Sequence, residues 1–240
     1  MLAYIRLEVL RIVRNWRYLA QVLGGPLLLY LLFAKQLPGG SGSPALMASL
    51  AAYGAIGAAF AVGGPRLTAE RAIGWTRLLR ATPLPSTAYV AAKLLVALVL
   101  ALPAIVAVEL AGATVSRLTL PLGTWLALPA LLLLGTVPFA VLGVLLGYLF
   151  NSDTVYVGTQ LVYVGLALLG GLWFPLETAP RLVRAVGETL PSYQLAELSK
   201  RAVAGQWPTP GLVAALAVYT AGFAALAAWR YRRDEARGWD

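Results

Sequence analysis

The chain has 240 residues, of which 60% are hydrophobic and only 12% charged, with a formal net charge of +9 at pH 7. A soluble domain carries about 25% charged residues, and surface-to-volume scaling lets no soluble fold bury so apolar a chain, so lipid must be part of its solvent. Cysteine and histidine are both absent, which excludes disulfides, thiolate chemistry and the usual zinc, copper and haem sites. The cations alternate with long apolar runs, so an anionic leaflet explains them better than nucleic acid does.

Residues 1–17 read as an interfacial helix. At 100° per residue, Leu2, Ile5, Val9, Ile12, Val13 and Trp16 share one arc of about 100°, with Arg6, Glu8, Arg11, Arg14, Asn15 and Arg17 opposite. Such a helix lies in the interface with its arginines toward headgroups, as a simple anchor or as a docking element. Its arginines are too spread for a cleavable signal, so removal is not expected. Six stretches then match the roughly 20 apolar residues that a spanning helix needs: 18–34, 45–64, 94–115, 125–150, 154–176 and 211–229. A Pro- and Gly-rich turn, 38–44, joins the first two.

Between spans two and three, residues 66–82 read as an inner helix that Thr68 can cap and Thr82-Pro83 ends. Glu70, Arg77 and Arg80 fall on one side of it, and Ala72, Trp75 and Leu79 on the other. A stiff amphipathic helix here suits contact with a soluble partner; lying flat in the interface is the other reading. Span three holds Glu109, the one acid inside a span, and a rise of about 1.5 Å per residue puts it in the outer third of the bilayer. Intramembrane carboxylates often mark substrate or proton paths. The preferred alternative is that Glu109 snorkels outward or pairs with Arg117. Gly143 and Gly147 in span four, and Gly54, Gly57, Ala58 and Ala61 in span two, allow close helix approach.

The segment 174–207, entered through Gly170 and Gly171, is divided by Pro180 and Pro191. Thr178-Ala179-Pro180 can start one helix, and Ser192 can cap a second that closes at Gly205. Both are too short and too charged to span, so an outer re-entrant hairpin is expected in place of an ordinary loop. A cytoplasmic N-terminus leaves thirteen Lys and Arg on inner segments and six on outer ones, which orients both termini inside.

The only lysines are Lys35, Lys93 and Lys200, and none follows the G-x-x-x-x-G-K-[ST] phosphate-loop pattern, so the chain is expected not to hydrolyse ATP. No span carries paired carboxylates for acid–base work. One off-centre glutamate is thin support for an ion-coupled transporter.

This order of elements resembles the permease subunits of type-2 ATP-binding-cassette (ABC-2) exporters over essentially the whole chain. Two stretches carry the resemblance most. One runs from Glu70-Arg71 through Gly74-Trp75, Arg77-Leu78-Leu79-Arg80 and Thr82-Pro83-Leu84 to Tyr89 and Lys93. The other is Gly170-Gly171-Leu172-Trp173-Phe174-Pro175-Leu176-Glu177, continuing to Leu190-Pro191. The resemblance implies one all-α transmembrane domain over 1–240, in a bacterial inner membrane, with six spans. It makes 66–82 the coupling helix, with Glu70, Arg71, Trp75, Arg77 and Arg80 facing a separate ATPase subunit, and makes 174–207 the outer hairpin, with Gly170, Gly171, Pro175, Glu177 and Pro191 its motif. The chain would be a non-catalytic subunit without a cofactor of its own, ATP and magnesium belonging to the partner. A second permease, identical or paralogous, would complete the path for a lipophilic or amphipathic cargo. A secondary transporter or channel working without ATP, or a membrane sensor or assembly protein, are the competing readings.

Overall fold

The computed structural model describes residues 14–36, 43–74 and 86–237, and every regular element among them is helical. In chain order these are α1 (Trp16–Gln36), α2 (Pro44–Ala61), a π-helical segment (Val62–Arg66), α3 (Leu67–Ala72), α4 (Ser86–Thr114), α5 (Leu122–Leu149), α6 (Val155–Leu169), a 3₁₀ turn (Leu176–Thr178), α7 (Arg181–Gly187), α8 (Pro191–Val203) and α9 (Pro210–Arg237). Residues 1–13, and with them most of the expected interfacial helix, lie outside the described residues.

Ser43 starts α2 by accepting the Leu46 N–H at 3.1 Å, and Pro44 occupies the first helical position, where its missing N–H costs nothing. The apolar residues of α2 have no single face, so they need burial all round. Met47, Leu50, Ile56 and Phe60 are accordingly buried. Helix α5 lies beside it at the centre of the bundle, in contact with α2, α4, α8 and α9. Four helical stretches are long and apolar enough to cross a membrane: Pro44–Ala72, Tyr89–Thr114, Leu122–Leu149 and Pro210–Arg233. Within the protein 72% of the apolar stretch of α5 is buried but only 17% of that of α9, so α9 turns most of its surface outward.

The chain differs from its sequence-based reading in three places. No helix starts at Thr68. The backbone stays helical from Pro44 through Ala72, and Pro65, which has no N–H to donate, is taken up by a wider π turn. Thr68 instead donates its hydroxyl to the carbonyls of Gly64 and Gly147, each at 3.1 Å. The helix stops at Ala72, followed by Gly74 at φ +73°, so the expected helix over 66–82 is not continuous. Trp75, Arg77 and Arg80 lie outside the described residues.

Second, the helix of span five ends at Leu169 and not near Leu176, because Gly170 and Gly171, the latter at φ +73°, turn the chain. Its 15 residues reach about 22 Å, short of the roughly 30 Å hydrocarbon core. Third, α8 begins at Pro191 after an extended Leu190, and Ser192 is fully buried within the first turn instead of capping it.

The segment after α6 is tied down. Arg184 donates to the backbone carbonyls of Leu176 and Glu177, and Tyr219 of α9 donates to the carbonyl of Thr189. Leu195 and Leu198 of α8 fill the space left by Gly135 of α5, so α8 packs inside the bundle despite its polar composition.

Candidate functional site

One end of the bundle, the basic end, joins Arg66, Arg71, Lys93 and Arg230 in a network of polar contacts. Glu70 of α3 accepts the Lys93 ammonium of α4 on Oε1 at 2.6 Å and the Tyr89 hydroxyl on Oε2 at 2.7 Å, with Arg66 Nε 3.7 Å away. The Lys93 side chain is 1% exposed and that of Glu70 14%. A buried ammonium persists only when paired and hydrogen-bonded, and this pair supplies both. Beside it, Arg71 donates to the carbonyl of Gly147 at 2.7 Å and lies over the Tyr148 ring at 4.8 Å. Arg230 of α9 donates to the carbonyl of Tyr148 at 3.3 Å. Four helices are thus joined through one polar junction. Glu70 and Lys93 are the two feet of the segment 75–85 that links α3 to α4.

Just above the junction the helices touch backbone to backbone. A side chain on Gly63 would strike the backbone of Gly143 and Val144, and one on Gly147 would strike the Gly63 carbonyl and Leu67. The close approach that Gly143 and Gly147 permit is therefore made with the π segment of span two.

A cleft of about 620 Å³ opens between α1, α2 and α6. From Arg66 to Tyr53 it follows about 20 Å of span two, at 1.5 Å per residue. Asn15, Arg66, Thr159 and Gln160 line it toward the basic end, and Val22, Pro26, Tyr53, Phe60 and Tyr163 line it deeper in the bundle. Tyr163 stacks on Tyr53 with ring centroids 4.3 Å apart and donates its hydroxyl to the Tyr53 carbonyl at 2.9 Å. Trp173 meets Tyr53 edge-on at 5.4 Å. Thr159 Oγ1 is buried without a hydrogen-bond partner among the described residues.

The family described as "ABC-2 family transporter protein" matches residues 40–229, well over half of the chain. The chain belongs to the ABC-2 family. It is also 29% identical over 234 residues to a Bacillus subtilis (strain 168) protein named "Putative transport permease YvfS", covering 95% of this chain and 96% of that one. No solved structure matches it. An ABC-2 permease is a multi-pass membrane transport subunit, of a family that normally works with an ATP-binding subunit.

In this permease Glu70 and Arg71 come together with Tyr89 and Lys93 at the junction, separated from Trp75, Arg77 and Arg80 by the Ile73–Gly74 turn. In the second motif Gly170 and Gly171 are buried at the turn after α6, Pro191 is buried at the start of α8, and Pro175 and Glu177 are exposed. Glu109 corrects its expectation. It is 6% exposed, and its Oε1 has no hydrogen-bond partner among the described residues. It neither snorkels nor pairs with Arg117, which is exposed at φ 51° beyond the end of α4. Glu109 is also not among the residues lining the cleft. Sequence reasoning missed the cleft wall on α6, although a signal was present. Tyr156, Thr159, Gln160 and Tyr163 recur at i, i+3, i+4 and i+7 and mark one polar and aromatic helix face in an otherwise apolar span.

Proposed function

We propose that this ABC-2 permease is the membrane half of an exporter, driven by a separate ATPase that grips the segment after Gly74. The junction at the basic end carries this reading. Glu70, Lys93 and Tyr89 tie the two ends of the 75–85 segment to each other, so a push on that segment moves α2–α3 and α4 together. The Gly63–Gly143 contact lies next to the junction and serves as the pivot on α5. In this reading Trp75, Arg77 and Arg80 meet the ATPase, while Glu70 and Arg71 hold the helix that receives the motion.

The cleft is the inward-facing half of the cargo path. Its basic end is polar, and its deep end is lined by the Tyr53 and Tyr163 rings, with Trp173 edge-on behind Tyr53. A polar mouth and an aromatic floor suit an amphipathic cargo. The amide of Gln160, exposed in the cleft, would receive its polar end. ATP-dependent contacts shift the permease between inward- and outward-open populations, and a second permease supplies the facing wall. The chain crosses the inner membrane six times with both termini cytoplasmic, α1 and α6 completing the four long spans. Residues 174–207 form the re-entrant hairpin, supported by the packing of α8 against α2 and α5.

Charge reversal at Arg77 and Arg80 with Trp75→Ala tests the coupling. The triple variant is expected to insert and fold normally but to lose co-purification of the ATPase and cargo-stimulated ATP hydrolysis. Interface hot spots are enriched in Trp and Arg, and truncating one costs about 2 kcal/mol or more. Unchanged binding and unchanged stimulation would reject the coupling assignment.

A further inference from the structure

A column of aromatic rings stands at the deep end of the cleft. Tyr163 of α6 lies flat on Tyr53 of α2, with ring centroids 4.3 Å apart and planes 6° from parallel. Phe60 meets Tyr163 edge-on at 6.1 Å, and Trp173 meets Tyr53 edge-on at 5.4 Å. Phe60, Tyr163 and Tyr53 line the cleft and Trp173 does not, so the column runs from the cleft to the turn after Gly171. The phenol end of Tyr163 sits in a notch that Gly57 provides, where a methyl group would come within 2.5 Å of the hydroxyl. That hydroxyl donates to the Tyr53 carbonyl at 2.9 Å. In a helix this carbonyl also accepts the N–H four residues on, so the tyrosine bond can be given up without orphaning it. The two helices are held very differently. α2 buries thirteen of its 18 residues, and α6 three of its 15. Elements with few buried contacts open at the lowest cost, so α6, which carries Tyr163, is the one that shifts.

We propose that Tyr163 is the gate residue of the cargo path. Seated on Tyr53 it closes the deep end of the cleft, and on leaving the Gly57 notch it opens the way to the outer turn. This rests on the reading of the cleft as that path. One ring stack and one neutral hydrogen bond make a modest latch, which holds the closed arrangement at rest and yields when α6 moves. Gly57 belongs to the latch because only a residue without a Cβ leaves room for the hydroxyl against α2. Tyr53 is the fixed half of the pair. It is 5% exposed, and Trp173 braces it from a turn whose Phe174 rests on Phe33 of α1 at 5.6 Å. Gln160, about 4.5 Å of helix rise nearer the basic end than Tyr163, lies on the cleft side of the gate.

The chain has no cysteine, so single cysteines report access in the full-length permease in sealed membrane vesicles. Gln160→Cys reads the cleft next to the gate, with a membrane-impermeant thiol reagent added to one face at a time. With Tyr163 in place, labelling is expected from the cytoplasmic face alone. Tyr163→Ala should raise the rate from the outer face roughly tenfold or more, through loss of the stack and the hydrogen bond together. Tyr163→Phe keeps the ring and loses only the hydrogen bond, so about a fivefold rise is expected. Leu161→Ala, at a position 69% exposed on the flank of α6, should change neither rate. Should Tyr163→Ala not fold, Gly57→Ala crowds the hydroxyl out of its notch and should open the outer face in the same way. Outer-face labelling that neither Tyr163→Ala nor Gly57→Ala raises would overturn the gate and leave the cleft as the path. A Gln160→Cys that reacts from neither face would remove the path, and the gate with it. An equal rise at Ala52→Cys, buried in α2, would mean general loosening and would also overturn the proposal.

Discussion

At Lys93 an ammonium sits where water does not reach, held by one carboxylate and facing the Tyr89 ring at 5.5 Å. Removing Lys93 takes the nearest cation from Glu70, whose carboxylate keeps the Tyr89 hydroxyl and, at 3.7 Å, Arg66. Lys93→Met is therefore expected to cost about 3–5 kcal/mol in denaturant or thermal unfolding, and Lys93→Met with Glu70→Leu to recover most of it. If the double variant is as unstable as the single one, the junction is held by packing and not by charge. Glu109 is the opposite case, with a buried carboxyl oxygen that has no hydrogen-bond partner among the described residues. Glu109→Gln removes any buried charge, so expression and unfolding should be unchanged or slightly improved, and export should be retained. A well-folded Glu109→Gln permease that no longer exports would make this acid part of the mechanism.

Among the elements, the π segment of span two decides most. Gly63 has no room for even a methyl group against α5, whereas Gly24 in α1 has open space around it. Gly63→Ala is expected to destabilise by about 1–3 kcal/mol through overpacking and to slow transport, while Gly24→Ala stays near neutral. Equal tolerance of the two substitutions in unfolding and transport assays would remove the pivot. The Gly143 and Gly147 pair was legible in the sequence as a close-packing motif, but its partner was not. The partner contact depends on how two helices cross, and neither helix's own periodicity encodes that.

For the whole molecule, the absence of cysteine gives a clean background for labelling. Gln160→Cys, in the cleft, is expected to react with a membrane-impermeant thiol reagent from the cytoplasmic side and to be protected by cargo. Leu161→Cys, 69% exposed on the flank of α6, should react with neither side's aqueous reagent. Reaction of Gln160→Cys only from outside would reverse the orientation of the path. Reporter fusions at Asp240 and near Ser41 should locate on opposite faces; a common location would contradict six spans.

Composition alone was enough to require lipid, because no soluble packing hides so much apolar surface, and apolar run lengths located the four helices long enough to cross a bilayer. The order of those runs and the two motif stretches were sufficient to indicate the family. Local chemistry failed where tertiary contacts compete with it. Thr68 looks like a cap but finds carbonyls on its own helix and on α5, and Ser192 is buried behind Pro191. Glu109 lies too deep to pair with Arg117. The junction and the cleft each draw residues from three or four helices far apart in the chain. Only the packing of the bundle brings such residues within hydrogen-bond range, since no local periodicity specifies which helix faces which.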